Sequence, residues 1–174
     1  MSKFIIDKLH SEIEFKVKHL MISTVTGRFT DFDAEIVSEN DDFTDAQISF
    51  EANVDSITTS ITDRDNHLKS ADFFDVENYP KISFKSTEIV KYNEDYHIIG
   101  LMNLHGVEKE VLLMGGYNGN DVDLYGNTKY GFELRGTIKR SEFGLSFNAL
   151  TDKGGLLVSD DVILNVSVQF TKAD

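Results

Sequence analysis

The sequence predicts an all-β protein in which about eight antiparallel strands close into one barrel, with a short helical insert at one end. Three observations lead there. Hydrophobicity alternates at period 2 through most of the chain. Short turns rich in Asn, Asp and Gly join successive segments, which favours an up-and-down order. One stretch, Arg64 to Asp75, abandons the alternation and reads as a helix running into the pair Phe73-Phe74.

Each element can be justified in turn. Ile13, Phe15 and Val17 alternate with Glu12, Glu14, Lys16 and Lys18, giving a strand with one apolar and one charged face. From Thr24 to Val37 the apolar parity switches between Phe29 and Phe32, which predicts a bulge or sharp bend near Thr30-Asp31. Ala46, Ile48, Phe50, Ala52 and Val54 form the next alternating run. In the insert 56–80, capping residues and acids (Thr59, Ser60, Asp63, Asp65) precede a late lysine, which predicts a helix over Ser60 to Ser70. Ile57, Ile61, Arg64 and Leu68 then fall at helical spacing and could lie on the barrel. The only proline, Pro80, turns the chain into Ile82, Phe84 and Ser86. Tyr96 to His105 and Glu110 to Tyr117 are apolar on both faces, as strands covered by a partner or a helix would be. Tyr130, Phe132, Leu134, Gly136 and Ile138 alternate cleanly, as do Val162, Leu164, Val166, Val168 and Phe170. A second long connection runs near 141–159. No repeat or linker is visible, so residues 1–174 read as a single domain.

Composition narrows the function. A formal charge of −13 and a pI near 4.7 repel phosphate backbones and anionic headgroups, arguing against nucleic-acid binding and tight membrane-surface association. With no cysteine, disulfides, thiolate metal sites and thiol catalysis are excluded. Met1 to Asp7 falls short of a signal-peptide core, and no long apolar window follows, so the expectation is a soluble cytoplasmic protein without stable membrane insertion.

A barrel of this size is either filled by its own side chains or holds one small ligand. A strand such as Lys129 to Arg140 spans roughly 40 Å, or about 30 Å along the axis once tilted by about 40°. That length suits an extended hydrocarbon. Small residues at inward parity (Ala52, Ser86, Gly100, Gly136) leave volume unless larger neighbours interdigitate. The expected tunnel lining is Ile13, Phe15, Val17, Phe29, Phe50, Phe84, Met102, Leu104, Phe132, Leu134 and Ile138, with Leu68, Phe73 and Phe74 near the mouth. A filled core acting as a surface interaction or dimerisation module remains the competing reading.

Among the five histidines no pair has metal-ligand spacing, and no cofactor or metal is expected. His19 has inward parity just past Val17 and is a candidate ligand contact or hydrogen bonder at a barrel end. Arg64 and His67, one turn apart, are candidates for a polar ligand head, unless Arg64 pairs with Asp63 or Asp72 and fixes the lid. Arg140 is expected at a rim, organising Ser141 to Leu145; His10 and His105 sit at turns. Ser11 beside His10 and Ser141 beside Glu142 lack a nucleophile elbow, so no catalytic residue is assigned. An enzyme acting on a small lipophilic substrate is the weakest reading.

Several of these segments, in this order, resemble the YceI-like family of bacterial lipid-binding proteins. They are Asp7-Lys8-Leu9-His10-Ser11 leading to Phe15, Val17, Lys18 and His19; Gly27-Arg28-Phe29 with Phe32; Arg64-Asp65-Asn66-His67-Leu68 with Phe73-Phe74-Asp75 and Tyr79-Pro80; Ser83-Phe84-Lys85-Ser86; Gly100 to Val107; Arg140-Ser141-Glu142-Phe143-Gly144-Leu145; and Val158 to Val162. The resemblance implies an extended, lipocalin-like barrel whose tunnel binds polyisoprenoids or similar long amphiphiles for storage, transport or stress protection, often as a homodimer.

Overall fold

The structure, a computed structural model, describes residues 1–149 and 157–173. The predicted connection near 141–159 therefore lies partly outside the described residues. Its strands are β1 (Ser2–Ile6), β2 (Glu12–His19), β3 (Ser23–Phe29), β4 (Phe32–Ser38), β5 (Gln47–Asn53) and β6 (Ile57–Thr58), then helix α1 (Thr62–Lys69), then β7 (Lys81–Tyr92), β8 (Asp95–Leu104), β9 (Val107–Val122), β10 (Thr128–Lys139) and β11 (Asp161–Ala173).

These strands make a closed barrel of eight antiparallel staves, because three staves are interrupted. β1 and β2 share one stave, β3 and β4 the next, β5 and β6 the third. β11 closes the ring: one edge pairs with β10 throughout, while the other pairs first with β2 (Ile163 opposite Lys16) and then with β1 (Lys3 opposite Ala173).

The interruptions have local causes. Between β1 and β2 the chain makes a 3-10 turn at Lys8–His10, held by Asp7, which accepts from the Leu9 amide at 3.1 Å. That turn removes a backbone partner from β11, and the Ser11 hydroxyl replaces it by accepting from the Gln169 amide at 3.0 Å. The predicted bend at Thr30-Asp31 is the break between β3 and β4. It is matched by the 3-10 turn Val54–Ser56 between β5 and β6, since Asn53 N–H donates to the Asp31 carbonyl at 2.9 Å. Two staves thus turn the same corner together.

Beyond that corner β6 pairs only with β3, and β5 is paired with β7 only as far as Asn53 opposite Lys81. The insert fills this end of the barrel. Its helix is shorter than predicted, and Thr59 and Ser60 do not cap it. Ile61 occupies the cap position with no side-chain bond and stays 52% exposed, off the barrel. Asp65 organises the entry instead, accepting from the Thr59 amide at 2.7 Å and its hydroxyl at 2.5 Å. The carboxylate thus reaches back from the first helical turn to the residues that precede it.

The apolar faces of the staves form one continuous core around the barrel interior. The strands read as covered on both sides differ from that expectation. β8 buries only its inner face, and Leu101 and Leu112 on the outside of β8 and β9 are 39% and 43% exposed. No element among the described residues lies over them.

Candidate functional site: an apolar cavity inside the barrel

Because inward residues alternate along every stave, the interior is built almost wholly from aliphatic and aromatic side chains. They do not meet at the axis. They surround a cavity of about 220 Å³ with an apolar wall.

One end is sealed by aromatic packing. The loop between β4 and β5 turns Phe43 inward at a positive φ of 60°, leaving its ring 4% exposed. Phe43 meets Phe4, Phe132 and Tyr117 at centroid distances of 5.2, 5.1 and 5.3 Å, mostly edge to face. Asp45 fixes the loop, accepting from the Ser38 hydroxyl at 2.6 Å and the Glu39 amide at 2.8 Å. Those hydrogen bonds hold its carboxyl below the usual range.

The insert forms the other end. Phe74 packs on Phe29 of β3 at 6.2 Å and on Phe15 of β2 at 6.4 Å. Phe73 turns toward Phe147, with ring centroids 5.0 Å apart, so the insert and the 143–149 segment touch across the opening. Leu68, Phe73 and Phe74 reach the cavity from the insert, and Leu145 and Val158 reach it from the opposite side.

The sequence-derived lining divides sharply. Ile13, Phe15, Val17, Phe29, Phe50 and Phe84 face the cavity. So do Met102, Leu104, Phe132, Leu134 and Ile138. The three polar candidates do not. His19 is exposed, because the chain turns out of the barrel immediately after it and inward parity ends there. Arg64 donates from Nε to the Thr59 hydroxyl and from Nη2 to the Thr59 carbonyl, both at 2.7 Å, so it fixes the insert without pairing with Asp63 or Asp72. His67 lies 2.9 Å from Asp72 and against the outer sides of Phe73 and Phe147.

Arg140 borders the cavity but turns its guanidinium away. It donates to the carbonyls of Leu145 at 2.6 Å, Ser159 at 2.9 Å and Val158 at 3.3 Å. Burial lowers its pKa, partly offset by the charge of Asp160. This is the rim role expected for Arg140, and it ties Leu145 to Val158 and Ser159.

The lining also contains residues that sequence reading left out. Val162, Leu164, Val166, Val168 and Phe170 of β11 face inward, and their alternation was plain enough to have included them. Phe43 carried no such signal, since it comes from a turn. The small inward positions act less simply than expected: Gly100 lies under the ring of Phe84, while Ser86 leaves the wall pattern at a bulge and accepts from the Ile48 amide at 2.8 Å. Among the described residues, no group of three or more His, Asp or Glu side chains is placed to hold a metal ion.

Fold and site together define a class: a closed antiparallel β-barrel with an apolar internal cavity, plugged at one end and lidded at the other. The chain belongs to the YceI-like domain family, which matches residues 4–170. It is similar to a UPF0312 protein of Staphylococcus epidermidis, 36% identical over 172 residues covering 98% of each chain. Among solved structures it is similar to a YceI protein of Campylobacter jejuni (32% identity, TM-score 0.77, 90% of each chain covered). A polyisoprenoid-binding domain from Saccharophagus degradans shares the fold at 14% identity, with a TM-score of 0.69 over 98% of each chain. No helix among the described residues is long and apolar enough to cross a membrane.

Proposed function

We propose that this protein binds a long isoprenoid, or a similar amphiphilic lipid, inside the barrel and does no chemistry on it. The observation that carries this reading is the length and uniformity of the cavity wall. On β11 alone the wall runs from Val162 to Phe170. At about 3.3 Å per residue that is roughly 26 Å along the strand, or about 20 Å along the axis at a tilt of about 40°. A compact polar metabolite would find few partners there. A hydrocarbon chain gains about 0.8 kcal/mol for each CH₂ withdrawn from water, offset by the entropy of ordering it.

The binding of polyisoprenoid by the S. degradans domain supports the same class of ligand. The plugged end and the lidded end suggest entry past the insert, with the tail reaching toward Phe43. Storage, transport or stress protection of the lipid are roles that fit such a container.

The test is native mass spectrometry of freshly purified protein, with titration of a fluorescent prenyl compound. A co-purifying lipid mass and saturable uptake are expected, and Phe132→Asp should abolish uptake while leaving the barrel folded by circular dichroism. Uptake at wild-type affinity by the folded variant would remove the lining assignment. A clean apo mass with no uptake would return the protein to the second reading, a barrel acting through its surface, for which the bare outer face around Leu101 and Leu112 is the specific observation.

A further inference from the structure

The connection between β2 and β3 is an unusual turn. Ile22 N–H donates to the His19 carbonyl at 3.1 Å, and the two central residues, Leu20 and Met21, both have positive φ, 54° and 60°. This is the pattern of a type I′ hairpin turn, which Asn-Gly adopts with little strain and bulky side chains adopt at a cost. The residues held there are also the wrong polarity for a solvated tip: Leu20, Met21 and Ile22 are 39%, 55% and 81% exposed. A turn that is both strained and apolar at its exposed apex calls for a reason outside the fold.

Charge supplies the second observation. In a chain with a net charge of −13, residues 15–30 contain no acid; Lys16 and Lys18 lie towards the tip, while Arg28, near the far end of β3, is paired with Glu12 at 3.6 Å. Lys18 Nζ donates to the Thr24 hydroxyl at 3.0 Å across the hairpin, beside the apolar tip. Asp161, at the start of β11, pairs with Lys139 at 2.8 Å, and Asp160 just before it accepts from the Ser141 hydroxyl at 2.9 Å. Asp63 and Asp72 belong to the insert, so the positive strip is confined to the hairpin. Position is the third observation. The tip stands at the insert end of the barrel, where the Leu20 amide bonds the Leu157 carbonyl next to Val158 on the cavity wall.

We propose that this hairpin docks the protein reversibly on bilayers carrying anionic headgroups. The apolar tip enters the interface and the lysines meet the headgroups, which places the lidded end of the cavity against the lipid surface. The proposal builds on the reading of the barrel as a lipid carrier and names the surface at which it exchanges its load. The strong overall negative charge keeps the contact weak and sensitive to salt.

The experiment is co-sedimentation with two kinds of vesicle, one of phosphatidylcholine alone and one of equal parts phosphatidylcholine and phosphatidylglycerol. Wild-type protein is expected to pellet with the mixed vesicles, to stay in solution with the neutral ones, and to be released by high salt. The double change Leu20→Asn, Met21→Gly gives the turn the residues its backbone favours, so the variant keeps its fold; it should pellet about tenfold less. Failure of the wild type to pellet with mixed vesicles, or equal pelleting of the variant, overturns the proposal. So does a wild-type dimer in analytical ultracentrifugation that the variant loses without any vesicle binding, which would assign the tip to a second copy of the chain. Prenyl uptake in vesicle-free solution is measured in parallel. Uptake without pelleting sinks the docking surface alone, and pelleting without uptake sinks the cavity reading alone.

Discussion

The ring of Phe15 on β2 lies over Gly27, its directly opposed partner on β3, so closely that a methyl group on Gly27 would come 2.1 Å from Phe15 Cζ. The missing side chain lets the ring lie along the wall, where it also meets Phe29 at a centroid distance of 5.7 Å. Phe84 lies in the same way over Gly100, here a diagonal neighbour on β8, with 2.4 Å between the virtual methyl and the ring Cζ. Glycine in these strands therefore keeps large rings out of the lumen.

Gly27→Ala should push the Phe15 ring toward the cavity. The expected stability loss is about 1–3 kcal/mol, typical of an overpacked core, together with weaker uptake of a prenyl ligand. Urea denaturation and ligand titration of the same variant read the two effects. A variant with unchanged uptake would mean that the ring finds another place along the wall.

Phe74→Ala removes the ring by which the insert grips Phe15 and Phe29. For a half-buried ring the expected cost is about 2 kcal/mol, below the range for a fully buried one. A loosened lid should release bound ligand faster, which stopped-flow dissociation would detect as a larger off-rate with little change in the barrel's circular dichroism.

Arg140→Lys should not be a mild change. The guanidinium reaches three carbonyls on two segments, and a lysine cannot reproduce that fork. Leaving buried carbonyls short of donors is expected to cost about 2–4 kcal/mol in urea denaturation. Accelerated proteolysis near residues 145 and 158 would accompany it.

Acid should weaken the fold through Asp7. Burial pushes its carboxyl up, but hydrogen bonds from Lys129 and His10, both at 2.9 Å, and their charges outweigh burial and hold it below its usual range. The unfolded chain then binds the proton more readily than the folded one. The contribution is present above the unfolded pKa of about 4 and is lost as pH falls through the lower folded value. Denaturation midpoints should drop steeply below about pH 4, and Asp7→Asn should flatten that slope. An unchanged slope would assign the acid sensitivity to other carboxylates.

Much of the barrel is legible in the sequence because its signal is local. The inner faces of β2, β10 and β11 follow directly from alternation, and the parity switch between Phe29 and Phe32 marks the corner at Thr30-Asp31. What stayed hidden depends on contacts between distant segments. Phe43 becomes a plug only because Asp45 ties its loop into shape, and no periodicity announces that. His19 has the parity of a lining residue, but it is the last residue of β2, and the turn that begins at Leu20 leaves it exposed at the barrel end. For Arg64, charge matching points to Asp63 or Asp72 as the alternative to a ligand, whereas its partner is the uncharged Thr59. The use of Gly27 as a seat for Phe15 is invisible until the register is known.

The seam formed by β11 with β1 and β2 also sets an order of events during synthesis. Residue 3 finds its partner at residue 173, so the earliest strand waits for the latest before the circle is complete. Until then a nascent chain holds its greasy inner surface in an open, curling sheet with two raw edges, a slow and aggregation-exposed topology. The compartment is complete only when that seam forms.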